Sequence, residues 1–186
     1  QLFRNCSAKD STEVEKSNCK PAAPFTIKSG LYSATVVTNS ESNSNVYSGG
    51  SYTGGFFGRT HITNITNSVS RGSITVEDDY YNSTVGLVGG FAGVVGLSSS
   101  ITDSSSFVNI NAKAQYVGGI AGVLDGEATT VTNSYYKGSI DGHVSNIGGI
   151  AGVFYGSYIT NTFSEGQINV HNPTPSTFVG GIVGHT

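Results

Sequence analysis

A Gly-Gly-x-x-Gly pattern returns five times along this chain and restricts its fold more than any other feature. The copies are Gly54-Gly55-Phe56-Phe57-Gly58, Gly89-Gly90-Phe91-Ala92-Gly93, Gly118-Gly119-Ile120-Ala121-Gly122, Gly148-Gly149-Ile150-Ala151-Gly152 and Gly180-Gly181-Ile182-Val183-Gly184. From first glycine to first glycine the steps are 35, 29, 30 and 32 residues. A fixed period of this size marks a repeat architecture, with one supersecondary unit per repeat.

A second motif rides inside each repeat: Ile65-Thr66-Asn67-Ser68, Ile101-Thr102-Asp103-Ser104, Val131-Thr132-Asn133-Ser134 and Ile159-Thr160-Asn161-Thr162. Nine residues after each leading Ile or Val stands another isoleucine, Ile74, Ile110, Ile140 and Ile168. Segments rich in Ile, Val, Tyr, Phe and Thr alternate with Gly, Asn, Asp and Ser, which are strand and turn signals. No stretch keeps the i, i+3, i+4, i+7 apolar spacing of a helix. The expected fold is all-β: a β-solenoid, or parallel β-helix, with about 30 residues and three short strands per turn. Equivalent positions then stack about 4.8 Å apart, giving ladders of Ile on Ile, Asn on Asn and Gly on Gly. A glycine column is needed where the coil bends sharply or two walls approach, since a Cβ would prop them apart.

On these residues the chain resembles the GLUG-motif repeats of large surface proteins, in which G-G-[LI]-[VA]-G is followed by I-[TS]-N-[SC]-Y-x-x-G-x-[IV]. Residues 117–120 with Val131-Thr132-Asn133-Ser134-Tyr135-Tyr136-Lys137-Gly138-Ser139-Ile140 match it most closely, and the resemblance spans roughly residues 54–184. One copy departs: Phe107 and Val108 stand where the others have a charged residue and then Gly72, Gly138 or Gly166, so that turn is expected to bend differently. The resemblance implies a secreted or cell-surface β-solenoid of the adhesin or peptidase-associated kind, with no single shared activity.

Composition narrows the function. Charged residues make up 11% of the chain, Lys and Arg total nine, and the net charge is −3, which leaves no basic stripe for nucleic acid. The longest apolar run, residues 85–97, is thirteen residues with five glycines, too short and too glycine-rich for a membrane span. Met is absent, including at position 1, as in a processed chain or a fragment. Cys6 and Cys19 are close enough to close a 14-residue loop; as a disulfide this stabilises by about 3 kcal/mol in the chain-entropy model and suits an oxidising compartment. Three N-x-[ST] sequons, at Asn5, Asn64 and Asn82, are N-glycosylation candidates, Asn82 the best placed.

Three regions are expected. Residues 1–24 form a charged, disulfide-containing arm and a Pro-rich connector, read either as a tail or as a latch reaching a neighbour. Residues 25–53 lack the repeat motif and read as an atypical capping rung followed by a polar loop over 39–51. Residues 54–186 form the repeats and end on an incomplete rung. The open edge there, Gly180, Gly181, Ile182, Val183 and Gly184, is expected to pair with the Phe25, Ile27, Leu31 and Val36 strands of a second copy, head to tail.

No nucleophile, cofactor or metal constellation is visible. His61, His143, His171 and His185 read as scattered solvated residues. Glu77-Asp78-Asp79 reads as a solvated loop before a Ca²⁺ site, and Asp103, Asp125 and Asp141 fall in different legs, so no carboxylate pair is evident. Thr66/Ser68, Thr102/Ser104, Thr132/Ser134 and Thr160/Thr162 are expected to share a face opposite Ile and Asn. Thr66, Thr102, Thr132 and Thr160 thus make a candidate hydroxyl face, like that of ice-binding solenoids. Tyr80, Tyr81, Tyr135, Tyr136, Tyr155 and Tyr158 offer a sugar-stacking alternative, with Tyr135 assigned to the core. The expectation is an extracellular or cell-surface, glycosylated, non-enzymatic structural solenoid that self-associates head to tail, without cofactor. The alternatives are an adhesin module with a glycan or protein ligand on a lateral face and an ice-binding solenoid.

Overall fold

The computed structural model describes residues 27–30, 33–77, 86–143, 146–171, 173 and 175–186. They form twenty-one strands and, among the described residues, no helix. Twenty of the strands make five turns of a parallel β-solenoid. The first turn is β2 (Ser33–Thr38), β3 (Glu41–Ser48), β4 (Tyr52–Gly54) and β5 (Phe57–His61). The second is β6 (Thr63–Thr66), β7 (Val69–Val76), β8 (Leu87–Gly89) and β9 (Ala92–Gly96). The third is β10 (Ser100–Thr102), β11 (Ser105–Lys113), β12 (Tyr116–Gly118) and β13 (Ala121–Asp125). The fourth is β14 (Thr130–Thr132), β15 (Tyr135–His143), β16 (Asn146–Gly148) and β17 (Ala151–Tyr155). The fifth is β18 (Tyr158–Thr160), β19 (Phe163–His171), β20 (Phe178–Gly180) and β21 (Val183–His185). Equivalent strands pair in parallel into four walls, numbered one to four in the order in which each turn visits them. β1 (Ile27–Gly30) adds an antiparallel strand to the first wall, against β2.

The coil therefore has four strands per turn rather than three, because each Gly-Gly-x-x-Gly segment is two strands joined by a sharp bend. A side chain at any of its three glycines meets backbone or a neighbouring wall, except at Gly181 in the last turn, where nothing lies within 4 Å. At Gly118 a Cβ would lie 2.7 Å from the Ile150 carbonyl oxygen and 2.8 Å from Ala151 Cα of the next turn. At Gly119 it would meet the ring of Tyr136 and the Gly149 carbonyl, and at Gly122 it would lie 2.6 Å from both Val88 N and the Gly93 oxygen. The third and fourth walls thus close on each other and on the second wall only where no side chain intervenes.

Asn39, Asn67, Asp103, Asn133 and Asn161 form the corner between the first and second walls, each left-handed with φ between 49° and 51°. Asn and Asp tolerate that conformation best among non-glycine residues. The corner ends one strand and starts another, so period-2 alternation does not carry across it. Ile65 points in, Thr66 out, Asn67 is exposed, and Ser68 is again buried. The shared Thr/Ser face expected from alternation is therefore split, with threonines outward and serines inward.

Residues 39–51 are not a loop. β3 pairs along its whole length with β7, from Glu41 opposite Val69 to Ser48 opposite Val76. Val37-Thr38-Asn39-Ser40 is a fifth copy of the corner motif, and Val46, nine residues after Val37, stacks on Ile74. The first turn is thus regular, and β1 is the atypical element. β2 is flanked by β1 and β6, so Val36 stands at no free edge.

The core is built from columns: Val37, Ile65, Ile101 and Val131 on the first wall, Ile74, Ile110 and Ile140 on the second, and Val88, Val117 and Ile147 on the third. Phe91, Ile120 and Ile150 fill the glycine bend. Leu87, Val94, Val123 and Val153 make a second, smaller cluster, with Tyr116 against it. Tyr136, not Tyr135, enters the core; it stands in register with Ser106 and Ser164, and its hydroxyl donates to the Val108 carbonyl at 3.0 Å. Around it the pairing of β11 with β15 lapses between Ser106↔Tyr136 and Ile110↔Ile140, while β11 pairs continuously with β7 through Phe107 and Val108. The departure expected at Phe107 and Val108 is therefore a one-sided interruption of the ladder.

Burial holds the Tyr136 phenol well above its usual value near 10. The unfolded chain releases that proton near pH 10 while the folded chain keeps it, so folding stability is intact below that pH and falls as pH rises past it. Tyr136→Phe loses about 1 kcal/mol at neutral pH with the hydrogen bond to Val108, but its denaturant midpoint falls less than that of the parent between pH 7 and about pH 11. Equal alkaline losses in the two proteins would contradict the assignment.

Candidate functional site

A solenoid offers two kinds of surface, its lateral walls and the stacking face of its turns. On the first wall Thr38, Thr66, Thr102, Thr132 and Thr160 stand in register over all five turns. The adjacent outward column reads Val36, Asn64, Ser100, Thr130 and Tyr158, so the hydroxyl array is one uniform column beside a mixed one. None of the ten residues in these two columns is charged. Asn64, one of the three sequon asparagines, lies in this wall and accepts a hydrogen bond from Ser100 Oγ at 3.0 Å. Asn5, Asn82, Cys6, Cys19, Phe25 and Leu31 lie outside the described residues, as do Asp78 and Asp79.

At the corner beside this wall two ladders run along the axis. The buried serines bind turn to turn: Ser68 Oγ accepts from Ser40 N, Ser104 Oγ from Ser68 N, and Ser134 Oγ from Ser104 N, at 3.3, 3.1 and 3.1 Å. Each serine also donates to the carbonyl two residues earlier, on Thr66, Thr102 or Thr132. Outside them the amides chain together. Asn67 Nδ2 donates to Asn39 Oδ1 at 2.6 Å, Asn133 Nδ2 to Asp103 Oδ1 at 3.1 Å, and Asn161 Nδ2 to Asn133 Oδ1 at 3.2 Å. Every donor belongs to the later turn. A carboxylate has no N–H, so Asp103 cannot serve Asn67, and the ladder breaks there.

The second wall is longest and carries the side-chain variety. Arg71 pairs with Glu41 at 2.9 Å and Lys137 with Glu165 at 3.2 Å, each bridging two turns; exposed pairs of this kind contribute at most about 1 kcal/mol. The Arg71 guanidinium lies 4.4 Å over the Phe107 ring. Tyr135 stacks on Phe163 at 4.8 Å and meets Phe107 edge-on at 5.6 Å. Tyr135 and Phe163 turn their faces to each other along the axis, and Phe163 remains exposed at the end of the stack. Tyr136 is in the core, Tyr155 and Tyr158 are exposed on other walls, and Tyr80 and Tyr81 lie outside the described residues. Among the described residues the four remaining tyrosines of that set fall on three different walls, with Tyr136 pointing inward. The Tyr47 phenol is raised by its hydrogen bond with Glu77, and that of Tyr116 by burial and by Tyr155.

The same wall brings together three residues that look scattered along the chain. Asp141 and His143 project from one face of β15, and His171 stands in register with His143 on β19. The imidazole rings stack at 4.7 Å, and His171 Nε2 is 2.6 Å from Asp141 Oδ1. One ligand atom from each lies within 4.8 Å of the others. The signal was present in the repeat arithmetic, since His143 and His171 each follow the stacked isoleucines Ile140 and Ile168 by three residues. His61 and His185 lie on the fourth wall, away from this group, and His185 packs on Phe178.

On the stacking face, Ile182 is 37% exposed in the fifth turn, whereas Phe91, Ile120 and Ile150 at the same position are fully buried beneath the next turn. Phe163, Phe178 and Val179 are exposed at the same end. No family model matches the chain, and neither the curated proteins nor the solved structures include a match to it.

Asp103→Asn restores an amide to the interrupted ladder and removes the repulsion-prone carboxylate from a column of carbonyl oxygens. We expect a stability gain of about 0.5–1 kcal/mol in urea unfolding, the scale of one net hydrogen bond. A loss of stability would show that the carboxylate has a role of its own at that corner.

Proposed function

We propose that this chain is an exported, non-enzymatic structural solenoid of the GLUG-repeat type, whose working surface is the stacking face of its turns. The observation that carries the reading is the equivalence of the turns. Each presents to the next parallel backbone edges on its walls, Asn or Asp followed by Ser or Thr at the corner, and an apolar Phe or Ile in the glycine bend. A second copy can stack through β3, β4 and β5, the free edges of its first turn on walls two to four, while on wall one β1 already covers β2. The fifth turn offers that surface with Ile182 uncovered, and a second copy stacked head to tail would bury it as Ile120 and Ile150 are buried. Extension by strand pairing then gives rods or fibres, a geometry suited to an extracellular surface. The arm at residues 1–24 is the proposed latch.

Sedimentation velocity over a concentration series tests this. The 186-residue chain is expected to form elongated, concentration-dependent oligomers. Ile182→Lys, at a position exposed in the single chain, leaves the fold intact and abolishes them by placing a charge in the contact. A parent chain that stays monomeric, or a variant that assembles equally well, overturns the reading.

A further inference from the structure

We propose that Asp141, His143 and His171 form a binding site for a divalent transition-metal ion of the zinc class, clipping the fourth turn of the solenoid to the fifth. Two imidazoles and one carboxylate are a ligand set that borderline metal ions take in preference to Ca²⁺ or Mg²⁺, which seek oxygen alone. The backbone supplies the placement. Strand alternation puts Asp141 and His143 on one outward face two residues apart, and parallel pairing sets His171 beside His143. All three donor atoms already lie within 4.8 Å of one another, so small rotations of exposed rings bring them to the bond lengths of about 2.0–2.2 Å that zinc requires.

A second feature points the same way. Asp141 Oδ1 is shielded from solvent and accepts no hydrogen bond, although His171 Nε2 is 2.6 Å away. A shielded carboxylate oxygen and an imidazole nitrogen brought this close are placed as two ligands of one cation would be. The flanking groups confine the site to this pair of turns. One turn earlier the histidine column carries Lys113, and the Asp141 column is occupied on either side by Asn111 and Asn169. Asn169 is engaged by Gln167 Nε2 at 3.0 Å. The three ligands leave coordination positions open to water or to a donor from outside the chain. A metal held here binds the folded stack and not the unfolded chain, so it stabilises the pairing of β15 with β19 by mass action.

The test is titration of the full chain with ZnCl₂ in a calorimeter, beside His143→Asn and His171→Asn. We expect one saturable equivalent in the parent, a zinc-dependent rise in melting temperature, and loss of both in each variant. Imidazole ¹H–¹⁵N correlation spectra of the unmutated chain give an independent reading should a variant fold poorly: zinc shifts two of the four histidines, and these are His143 and His171. Absence of saturable binding, retention of binding in both variants, or shifts confined to His61 and His185 would each overturn the site.

Discussion

The fold depends on one close approach, that of the glycine bend to the second wall. Across this narrow part of the coil the second glycine of the first four motifs faces the first inward residue of wall two in the next turn: Gly55 against Ser70, Gly90 against Ser106, Gly119 against Tyr136 and Gly149 against Ser164. With backbone so near side chain there is room for hydrogen atoms and nothing larger. Some serines of this column bond the glycine carbonyls, Ser42 Oγ donating to Gly55 O and Ser70 Oγ to Gly90 O at 2.6 Å, whereas Ser106 Oγ, in register with Tyr136, has no partner. Closing this gap allows a turn of about 30 residues to enclose a dry column of Ile and Val without an empty channel.

Once the walls close, stacking follows from backbone hydrogen bonding, and side chains are carried into columns whether or not they suit one another. Ser on Ser and Asn on Asn suit well, because each residue is both donor and acceptor. Asp103 breaks the amide ladder for lack of a donor, and Tyr136 displaces several backbone bonds of β15 while giving one back through its hydroxyl. Opposite charges at Arg71 and Glu41 and at Lys137 and Glu165 are matched across turns. Asp141, His143 and His171 are the residues in which such enforced neighbours acquire ligand chemistry.

Much of this was legible in the chain. The glycine period and the nine-residue spacing within each motif defined the solenoid, its repeat length and its isoleucine columns, because these positions are constrained by packing. The strand β3 was not legible from composition: Glu41, Asn43, Ser44 and Asn45 have poor strand propensity, and their conformation is imposed by pairing with β7. The motif copy at Val37 was there to be read, shortened to one corner and one apolar anchor. Facing was lost wherever a left-handed Asn intervened, since alternation counted through that corner assigns Ser68 to the wrong side and Tyr135 to the core in place of Tyr136. The histidine pair was hidden for a different reason: ligand spacing in a solenoid is set by the repeat length and not by local sequence.

The most direct measurement is the unfolding free energy of Gly119→Ala beside Gly49→Ala. A Cβ at Gly119 meets the Tyr136 ring and the Gly149 carbonyl, whereas at Gly49 nothing lies within 4 Å. The account predicts a loss of roughly 3 kcal/mol or more at Gly119, or failure to fold, and a change within about 0.5 kcal/mol at Gly49. A Gly119→Ala protein as stable as the parent would mean that the bend and the second wall are not in contact, and the architecture built on that contact would fall.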